Sequence, residues 1–340
     1  MLSAFITGVA GAELGCREGE VLRAARPCGV ILFARNAVEP GQLNRLTRAI
    51  RAAIGEDDIL ILIDQEGGRV QRLRPPHWRR LPAAAAYVPA YGGDLEKAAR
   101  AARLIARLTA ADLRAVGINT NCAPLLDVPV AGAHDVIGER AYARAPAAVA
   151  RLGAAVAEGL MAGGVLPVVK HMPGHGRAMH DSHFDLPVVE AARAELEAAD
   201  FLPFRALAGL PAGMTAHVVF TAFDAQAPAS TSQRLIAQAI RGAIGFDGLL
   251  MSDDIGMQAL SGSVAMRARA VLGAGCDVVL ACSGTLAETE AVAAVAPPLA
   301  GRARIRFERA LAVVRQQQPF AAGEAEALLA EVCLWRPESV

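Results

Sequence analysis

The chain from Val165 to Pro187 reads VLPVVKHMPGHGRAMHDSHFDLP, an apolar run that changes abruptly into a polar loop. The run at residues 165–169 is too short for a helix and is rich in β-branched residues, which indicates a buried strand. The stretch that follows it contains four of the seven histidines of the chain, together with Lys170 and several Gly and Pro residues. A strand that ends in such a loop is typical of the active-site edge of barrels and open α/β sheets.

Seven other short apolar runs alternate with amphipathic stretches, and this alternation indicates βα units around a parallel sheet. The predicted strands span residues 4–9, 29–33, 59–63, 117–121, 165–169, 213–217, 248–251 and 277–281. The predicted helices span residues 42–54, 95–116, 147–162, 190–207, 233–244, 264–272, 286–295, 303–317 and 322–334. Eight units in about 280 residues is the size of a (β/α)8 TIM barrel, although counting alone does not separate a barrel from a doubly wound sheet.

The sequence shows no boundary between domains. No Ser/Gly linker, internal repeat or low-complexity segment interrupts its 340 residues. We therefore predict a single α/β domain over residues 1–340, with the barrel at about 1–300 and closing helices at about 301–335.

Composition disfavours several classes of partner. Hydrophobic residues make up 54% of the chain, and 34 Lys and Arg balance 34 Asp and Glu. No global field therefore attracts nucleic acid or a membrane surface, and no apolar run reaches the roughly 18 residues of a membrane span. The N-terminus lacks the basic segment of a secretion signal, and the six scattered cysteines contain no CxxC pair. We expect a cytoplasmic protein with reduced thiols.

Polar residues also follow other predicted strands. Asp64 comes directly after the strand at 59–63, and a Gly-Gly pair and Arg72 come next. Alone, this segment is more typical of a capping aspartate with solvent-exposed arginines. The segment at 137–140, which contains Arg140, lies in a long connection without clear periodicity and is equally weak alone.

The strand at 248–251 is followed by two consecutive carboxylates, Asp253 and Asp254. Successive side chains of a strand face opposite ways, so we expect only one of the two aspartates to point into a barrel mouth. The alternation does not show which of the two it is. His217, at the end of the strand at 213–217, is more typical of a structural histidine.

The polar loop suggests proton transfer rather than metal binding. Asp181 precedes His183 by two residues, so it can orient the imidazole and raise its pKa toward the useful range. Four histidines and two aspartates could also supply metal ligands. Their spacing matches neither HxH at a strand end nor HExxH on a helix, and Lys170 would repel a cation. We predict no metal and no cofactor.

Taken together, these motifs resemble glycoside hydrolase family 3, and within it the single-domain bacterial β-N-acetylhexosaminidases. They run in the family's order from Asp64 to about Asp254, each at a strand end, so the resemblance covers most of the chain. The motifs are DQEGGR from Asp64, Lys170-His171, PGHG from Pro173, DSH from Asp181 and SDD from Ser252. Met172, where the family often has an aromatic residue, and residues 177–180 depart from the pattern and bear on loop shape and aglycone preference.

The resemblance implies roles for particular residues. Asp253, the first of the acidic pair, is the implied nucleophile, His183 the general acid/base and Asp181 its partner. The residues implied to hold the terminal sugar are Asp64, Arg72, Arg140, Lys170 and His171. These implied roles agree with the chemistry of the reaction. Cleavage of a β-glycoside with retention needs a carboxylate that attacks the anomeric carbon and an acid that protonates the leaving oxygen.

The implied activity is that of a retaining exo-β-N-acetylglucosaminidase. Its implied substrates are muropeptides with terminal N-acetylglucosamine on anhydro-muramic acid, or chito-oligosaccharides, in cytoplasmic cell-wall recycling that bears on cell shape and division. We expect a monomer without nucleic-acid or membrane partners. A metal-dependent amidohydrolase on the same barrel and a β-glucosidase of broader specificity remain alternatives.

Overall fold

Eight parallel strands form the wall of a barrel in the computed structural model, which describes residues 1–182 and 185–335. Each strand pairs with the next along the chain, and the first pairs with the eighth. The fifth strand has two pieces, of which the first pairs with β4 and the second with β6, so the sheet closes on itself. The strands are β1 Ser3–Gly8, β2 Pro27–Leu32, β3 Leu60–Ile63, β4 Thr120–Asn121, β5 Leu166–Pro167 and Val169–Met172, β6 Ala212–Thr215, β7 Leu249–Asp254 and β8 Val278–Ala281. The TIM-barrel prediction is confirmed, and the doubly wound alternative is wrong because the strand order is circular.

Helices surround the barrel and follow its strands in the order expected of βα units. They are α1 Cys16–Ala25, α2 Pro40–Ile54, α3 Tyr87–Ala90, α4 Leu95–Ala115, α5 Pro146–Ala162, α6 Arg193–Ala198, α7 Phe201–Ala206, α8 Gln233–Leu235 with its π-helical continuation Ile236–Ala243, α9 Val264–Ala274, α10 Leu286–Ala293, α11 Gly301–Val314 and α12 Gly323–Leu334. Short 3-10 turns lie at Ala34–Asn36, Ala84–Ala86 and Gly138–Arg140. Two small sheets, Gln65–Gly67 with Val70–Gln71 and Val188–Val189 with Val219–Phe220, extend beyond the barrel.

Alternating strand residues build two apolar layers. Leu60 and Leu62 of β3 pack in a cluster with barrel-interior residues of other strands. Ile61 and Ile63 face the opposite way, into the cluster that contains the buried face of α2. This alternation explains why the strand reads as a continuous apolar run, since both of its faces are covered.

The helix predictions miss α1 and the four-residue α3, and they merge α6 and α7 into one helix. The predicted helix at 190–207 is two short helices, α6 and α7, because Pro203 has no N–H to continue a helix from α6. Helix α1 was not predicted, since only Val21 and Leu22 of it are buried and its apolar periodicity is weak.

The two C-terminal helices pack against different parts of the domain. Phe307 and Leu311 of α11 join the apolar cluster of the barrel interior, and α12 packs on α4. Among the described helices, none combines the length and apolarity needed to cross a bilayer. The carboxyl ends of β3, β5 and β7, which carry the polar motifs, meet at one face of the barrel.

Candidate active site

A cavity of about 220 Å³ opens at the carboxyl ends of the strands. Six of the residues singled out in the sequence meet there, from four separate segments of the chain. They are Asp64, Arg72, Arg140, Lys170, His171 and Asp253. The remaining lining side chains include Phe33, Glu66, Val136, Ile137, His175, Ser182, Asp254, Met257 and Cys282. Asp181 lies in the loop next to Ser182, and His183 lies outside the described residues.

Five charged side chains form a continuous chain across this cavity. Lys170, which is 2% exposed, places Nζ 2.8 Å from Asp64 Oδ1 and 2.7 Å from Glu66 Oε1. Arg72 Nη2 lies 3.2 Å from the other oxygen of Asp64. Arg140 binds Glu66 through two bonds, Nε to Oε2 and Nη2 to Oε1, each 2.9 Å long. The five groups carry three positive and two negative charges.

The pairing keeps the two carboxylates and Lys170 charged. Burial alone would raise the pKa of Asp64, but Lys170 and Arg72 outweigh it and hold that pKa well below its usual range. Burial likewise opposes ionisation of Glu66, whose pKa is nevertheless lowered by Lys170 and Arg140. Burial would lower the pKa of Lys170, but the two carboxylates raise it. These two carboxylates and Lys170 therefore carry fixed charges near neutral pH.

Glu66 also lines the site. It belongs to the DQEGGR motif, but no role was predicted for it. It stands two residues after Asp64, so the alternation of extended backbone places both carboxylates on the same side. That spacing is the signal that could have identified it. Its partners Lys170 and Arg140 could not be read from the sequence, because barrel closure brings them together.

We expect the substitution Lys170→Met to lower the free energy of unfolding by about 3 kcal/mol at neutral pH, the lower end for breaking a buried ion pair, since Arg72 and Arg140 remain. In the wild type, the depressed pKa of Asp64 and of Glu66 gives stability above pH 4 or so that is lost in acid. In the variant, burial without Lys170 favours protonated carboxylates, so the deficit should shrink as pH falls. Urea unfolding at several pH values measures it.

Lys97→Met is the matched control, because Lys97 makes an exposed ion pair with Asp94 on α4. It should change the free energy of unfolding by less than about 1 kcal/mol. Equal losses in the two variants, or a Lys170→Met deficit that grows in acid, would contradict this account of the charged chain.

Asp127 is a second residue that the sequence did not single out. Its carboxylate is fully buried and accepts the backbone N–H groups of His171 and His175, at 3.2 and 2.6 Å. Its Oδ2 lies 2.8 Å from His171 Nδ1. Burial would raise the pKa of Asp127, but the charge and hydrogen bond of His171 lower it to about 2. The signal was a lone carboxylate inside the apolar sequence Leu125-Leu126-Asp127-Val128, which requires a buried partner.

The Pro-Gly-His-Gly segment forms a tight corner. Gly174 has φ of 138° and donates its N–H to the carbonyl of His171. A Cβ on Gly176 would overlap the carbonyl of Val128. His175, at the corner, places Nε2 3.0 Å from Ser182 Oγ, and burial together with His171 lowers the pKa of His175 to about 4.

The two consecutive aspartates of β7 have different surroundings. Asp254 Oδ1 accepts the backbone N–H groups of Gly256 and Cys282, at 2.9 and 3.0 Å, and burial raises the pKa of Asp254 to about 6. Asp253 accepts only the N–H of Asp254, at 2.8 Å, among the described residues. Burial opposes its ionisation, but the charges of His171 and His217 lower the pKa of Asp253. Asp254 therefore binds the backbone at Gly256 and Cys282. Asp253 remains as an ionised carboxylate in the cavity wall, where a ligand can reach it.

His217 helps to fix the backbone of Asp254. Its Nδ1 lies 2.6 Å from Ser230 Oγ, and its Nε2 lies 2.9 Å from the backbone oxygen of Asp254. Burial lowers the pKa of His217. Both ring nitrogens are satisfied, as expected for a structural histidine.

Comparison with known proteins identifies the family. The family model described as "Glycosyl hydrolase family 3 N terminal domain" matches residues 12–311. The chain belongs to this family. A β-hexosaminidase from Alkalilimnicola ehrlichii is 42% identical to it over 299 residues, which is 87% of this chain and 84% of that protein. The family 3 enzyme described here is accordingly a glycoside hydrolase with β-N-acetylhexosaminidase activity.

Solved structures agree with this assignment. NagZ from Neisseria gonorrhoeae in complex with N-trifluoroacetyl-D-glucosamine gives a TM-score of 0.86 at 34% identity, covering 97% of this chain and 98% of that one. The same protein in complex with zinc ion gives 0.84. A family 3 β-N-acetylglucosaminidase from Paenibacillus gives 0.84 at 31% identity, and this chain spans 66% of its length. In residues 1–182 and 185–335 of the family 3 chain, no group of three or more His, Cys, Asp or Glu is placed to hold a metal ion.

Proposed function

We propose that the enzyme removes terminal, non-reducing β-linked N-acetylglucosamine from muropeptides by a retaining double displacement. The observation that carries the proposal is the placement of Asp253. Its carboxylate lines the cavity, stays ionised and, unlike that of Asp254, is not used to hold neighbouring strands. An ionised carboxylate free to approach a sugar is what the first displacement needs.

The proposed reaction has two steps. Asp253 attacks the anomeric carbon while the glycosidic C–O bond breaks, and the leaving oxygen takes a proton from His183. Water then attacks the glycosyl-enzyme ester, giving a proton to His183 as Asp253 leaves. Each step inverts the anomeric carbon, so the β configuration is retained overall. Asp181 is proposed to orient His183 and to stabilise its protonated form.

The charged chain across the cavity suits a neutral sugar. Lys170, Arg72 and Arg140 carry as many positive charges as Asp64, Glu66 and Asp253 carry negative ones, so this group has no excess charge that would call for a charged ligand. Their fixed donors and acceptors match sugar hydroxyls and an acetamido group. His171, with Nδ1 bound to Asp127, keeps its other ring nitrogen for the same purpose. The cavity volume is small against the roughly 300–1,000 Å³ of sites for larger ligands, which favours one terminal sugar ring, hence exo cleavage.

Muropeptides containing anhydro-muramic acid, and chito-oligosaccharides as a second class, are the proposed substrates. The wall formed by Val136 and Ile137 provides apolar surface beside the charged groups, where an aglycone can pack. Turnover of such fragments would place the enzyme in cytoplasmic cell-wall recycling, acting as a monomer.

We expect aryl glycosides of N-acetylglucosamine to be strongly preferred over those of glucose, by roughly 10²-fold. A missing acetamido group leaves buried polar partners unpaired, at about 1–3 kcal/mol for each. Turnover should survive a chelator, since the reaction uses no metal. Specificity constants for the two sugars and for a muropeptide, measured with and without chelator, test the proposal.

Comparable constants for the two sugars would instead indicate a β-glucosidase of broader specificity. Activity that chelation abolishes and zinc restores would favour the metal-dependent amidohydrolase. Product NMR on the same samples shows whether the β-anomer is released first, as retention requires.

A further inference from the structure

The segment after β4 runs alongside β5 and brings one carboxylate under the sugar site. Lys170 donates its backbone N–H to the carbonyl of Pro124, and Leu126 donates its own to the carbonyl of Lys170. Asp127, the next residue, therefore faces the backbone that follows Lys170. This placement depends on pairing that continues beyond the regular strands.

Three hydrogen bonds join Asp127 to this backbone and to one imidazole. Oδ1 accepts the N–H groups of His171 and His175, while Oδ2 lies 2.8 Å from His171 Nδ1. Because the carboxylate is ionised and can only accept, Nδ1 of His171 must carry the proton. Within the described residues this is the only hydrogen bond of the His171 ring, so Nε2 remains for a ligand.

We propose that Asp127 is a positioning residue of the reaction, holding His171 in the Nδ1–H tautomer so that Nε2 meets the sugar beside Asp253. The proposal rests on the proposed function, in which His171 holds that sugar. Asp127 does not touch substrate. Its effect on the sugar passes through the His171 ring, whereas its bonds to the two backbone N–H groups, which an asparagine oxygen can keep, support the fold. The same carboxylate also fixes the corner at His175, whose Nε2 contacts Ser182. It thereby joins the sugar site to the start of the loop that carries Asp181.

The substitution Asp127→Asn tests the tautomer directly. An asparagine can keep an oxygen toward the two backbone N–H groups, but its amide nitrogen then faces His171 Nδ1 and donates to it. The ring must move its proton to Nε2, which reverses the polarity of the atom offered to the sugar. We expect kcat/KM for an aryl N-acetylglucosaminide to fall about 10²-fold, the scale of a misplaced contact.

Nitrogen NMR of protein labelled with ¹⁵N-histidine reports the tautomer, with the His171 signals assigned by their loss in His171→Gln. Wild-type His171 should be protonated at Nδ1 when neutral, and Asp127→Asn should shift the proton to Nε2. An Nε2–H tautomer in the wild type overturns the inference without any variant of Asp127, so the test survives poor folding of that variant.

A double-variant comparison tests whether Asp127 acts through His171. If it does, Asp127→Asn should add no further loss of kcat/KM in the His171→Gln background. Additive losses overturn the inference, because Asp127 would then act by another route. Trapping of a sugar on Asp253 in the wild type is a separate measurement, so failure of the proposed function is recognised independently.

Asp277→Asn is the matched control. Asp277 is also a buried carboxylate that accepts a backbone N–H, from Leu250, and binds Arg241 and Arg306. It lies before β8, at the opposite end of the barrel from the cavity. This variant should lower thermal stability while leaving kcat/KM and the His171 nitrogen signals unchanged, and a drop in kcat/KM like that of Asp127→Asn would indicate a merely structural effect.

Discussion

Replacing Asp253 by alanine should lower kcat for an aryl N-acetylglucosaminide at least roughly 10⁴-fold, the scale seen when hydrolases lose their nucleophile. The loss should be this large because the other described carboxylates of the cavity are engaged, Asp64 and Glu66 in ion pairs with Lys170, Arg72 and Arg140. Asp254, its neighbour, is held by Gly256 and Cys282. Steady-state kinetics at pH 7, with unfolding measured in parallel, gives the result.

Azide distinguishes loss of a nucleophile from general damage. In Asp253→Ala, azide can enter the space of the missing carboxylate and attack the anomeric carbon once, so the expected product is a glycosyl azide of inverted configuration. A slow fluorinated glycoside with a good leaving group should also leave its sugar on the peptide that contains Asp253 in the wild type. A label on Asp254, or an Asp253→Ala variant that keeps near-normal kcat, would contradict the assignment of Asp253 as the nucleophile.

Asp254→Asn is the paired variant. An asparagine oxygen can still accept the N–H groups of Gly256 and Cys282, so covalent labelling of Asp253 should persist. Because the pKa of folded Asp254 is raised to about 6, its ionisation costs stability as pH rises through that value. The substitution should therefore remove part of the pH dependence of stability between about pH 4 and 6.

The barrel could be predicted from the sequence because its strands are covered on both faces. β3 is apolar at every position of Leu60–Ile63, and such runs stand out between amphipathic helices. Helix α1 could not be found in this way, since an exposed helix with only two buried residues lacks apolar periodicity. The break between α6 and α7 does have a sequence signal, Pro203, which cannot continue a helix from α6.

Without the family resemblance, the site could be predicted only where its residues follow strands. Asp64, Lys170 and Asp253 stand at strand ends, and the carboxyl ends of barrel strands share one face. Asp127 lies in an irregular segment after β4 that has no periodicity. Its position beside His171 is known only from the structure, in which that segment pairs with β5. The bond between Glu66 and Arg140 likewise joins residues 74 positions apart.

His183→Ala should slow hydrolysis of natural disaccharides by about 10²–10⁴-fold, the usual contribution of a general acid. Nitrophenyl glycosides should lose much less in the first step, because a nitrophenolate leaves without a proton. The Asp-Ser-His motif and its resemblance to family 3 imply this role, and the structure places Ser182, next to His183 in the sequence, against His175 in the cavity wall. Rates for both substrate types, compared between variant and wild type, measure the acid component.

Asp181→Asn should act in the same direction but less severely, because it keeps the imidazole of His183 and removes only its proposed charge partner. His183 is also the proposed base that activates water, so azide, which needs no base, should restore part of the His183→Ala rate with an activated substrate. Here Asp253 still forms the intermediate, and the glycosyl azide should retain its configuration, opposite to the product expected from Asp253→Ala. Equal losses of rate on both substrate types, without rescue by azide, would show that His183 is a binding or structural residue. The next candidates for the general acid would then be Glu139 and His171, although Nδ1 of His171 is already bound to Asp127.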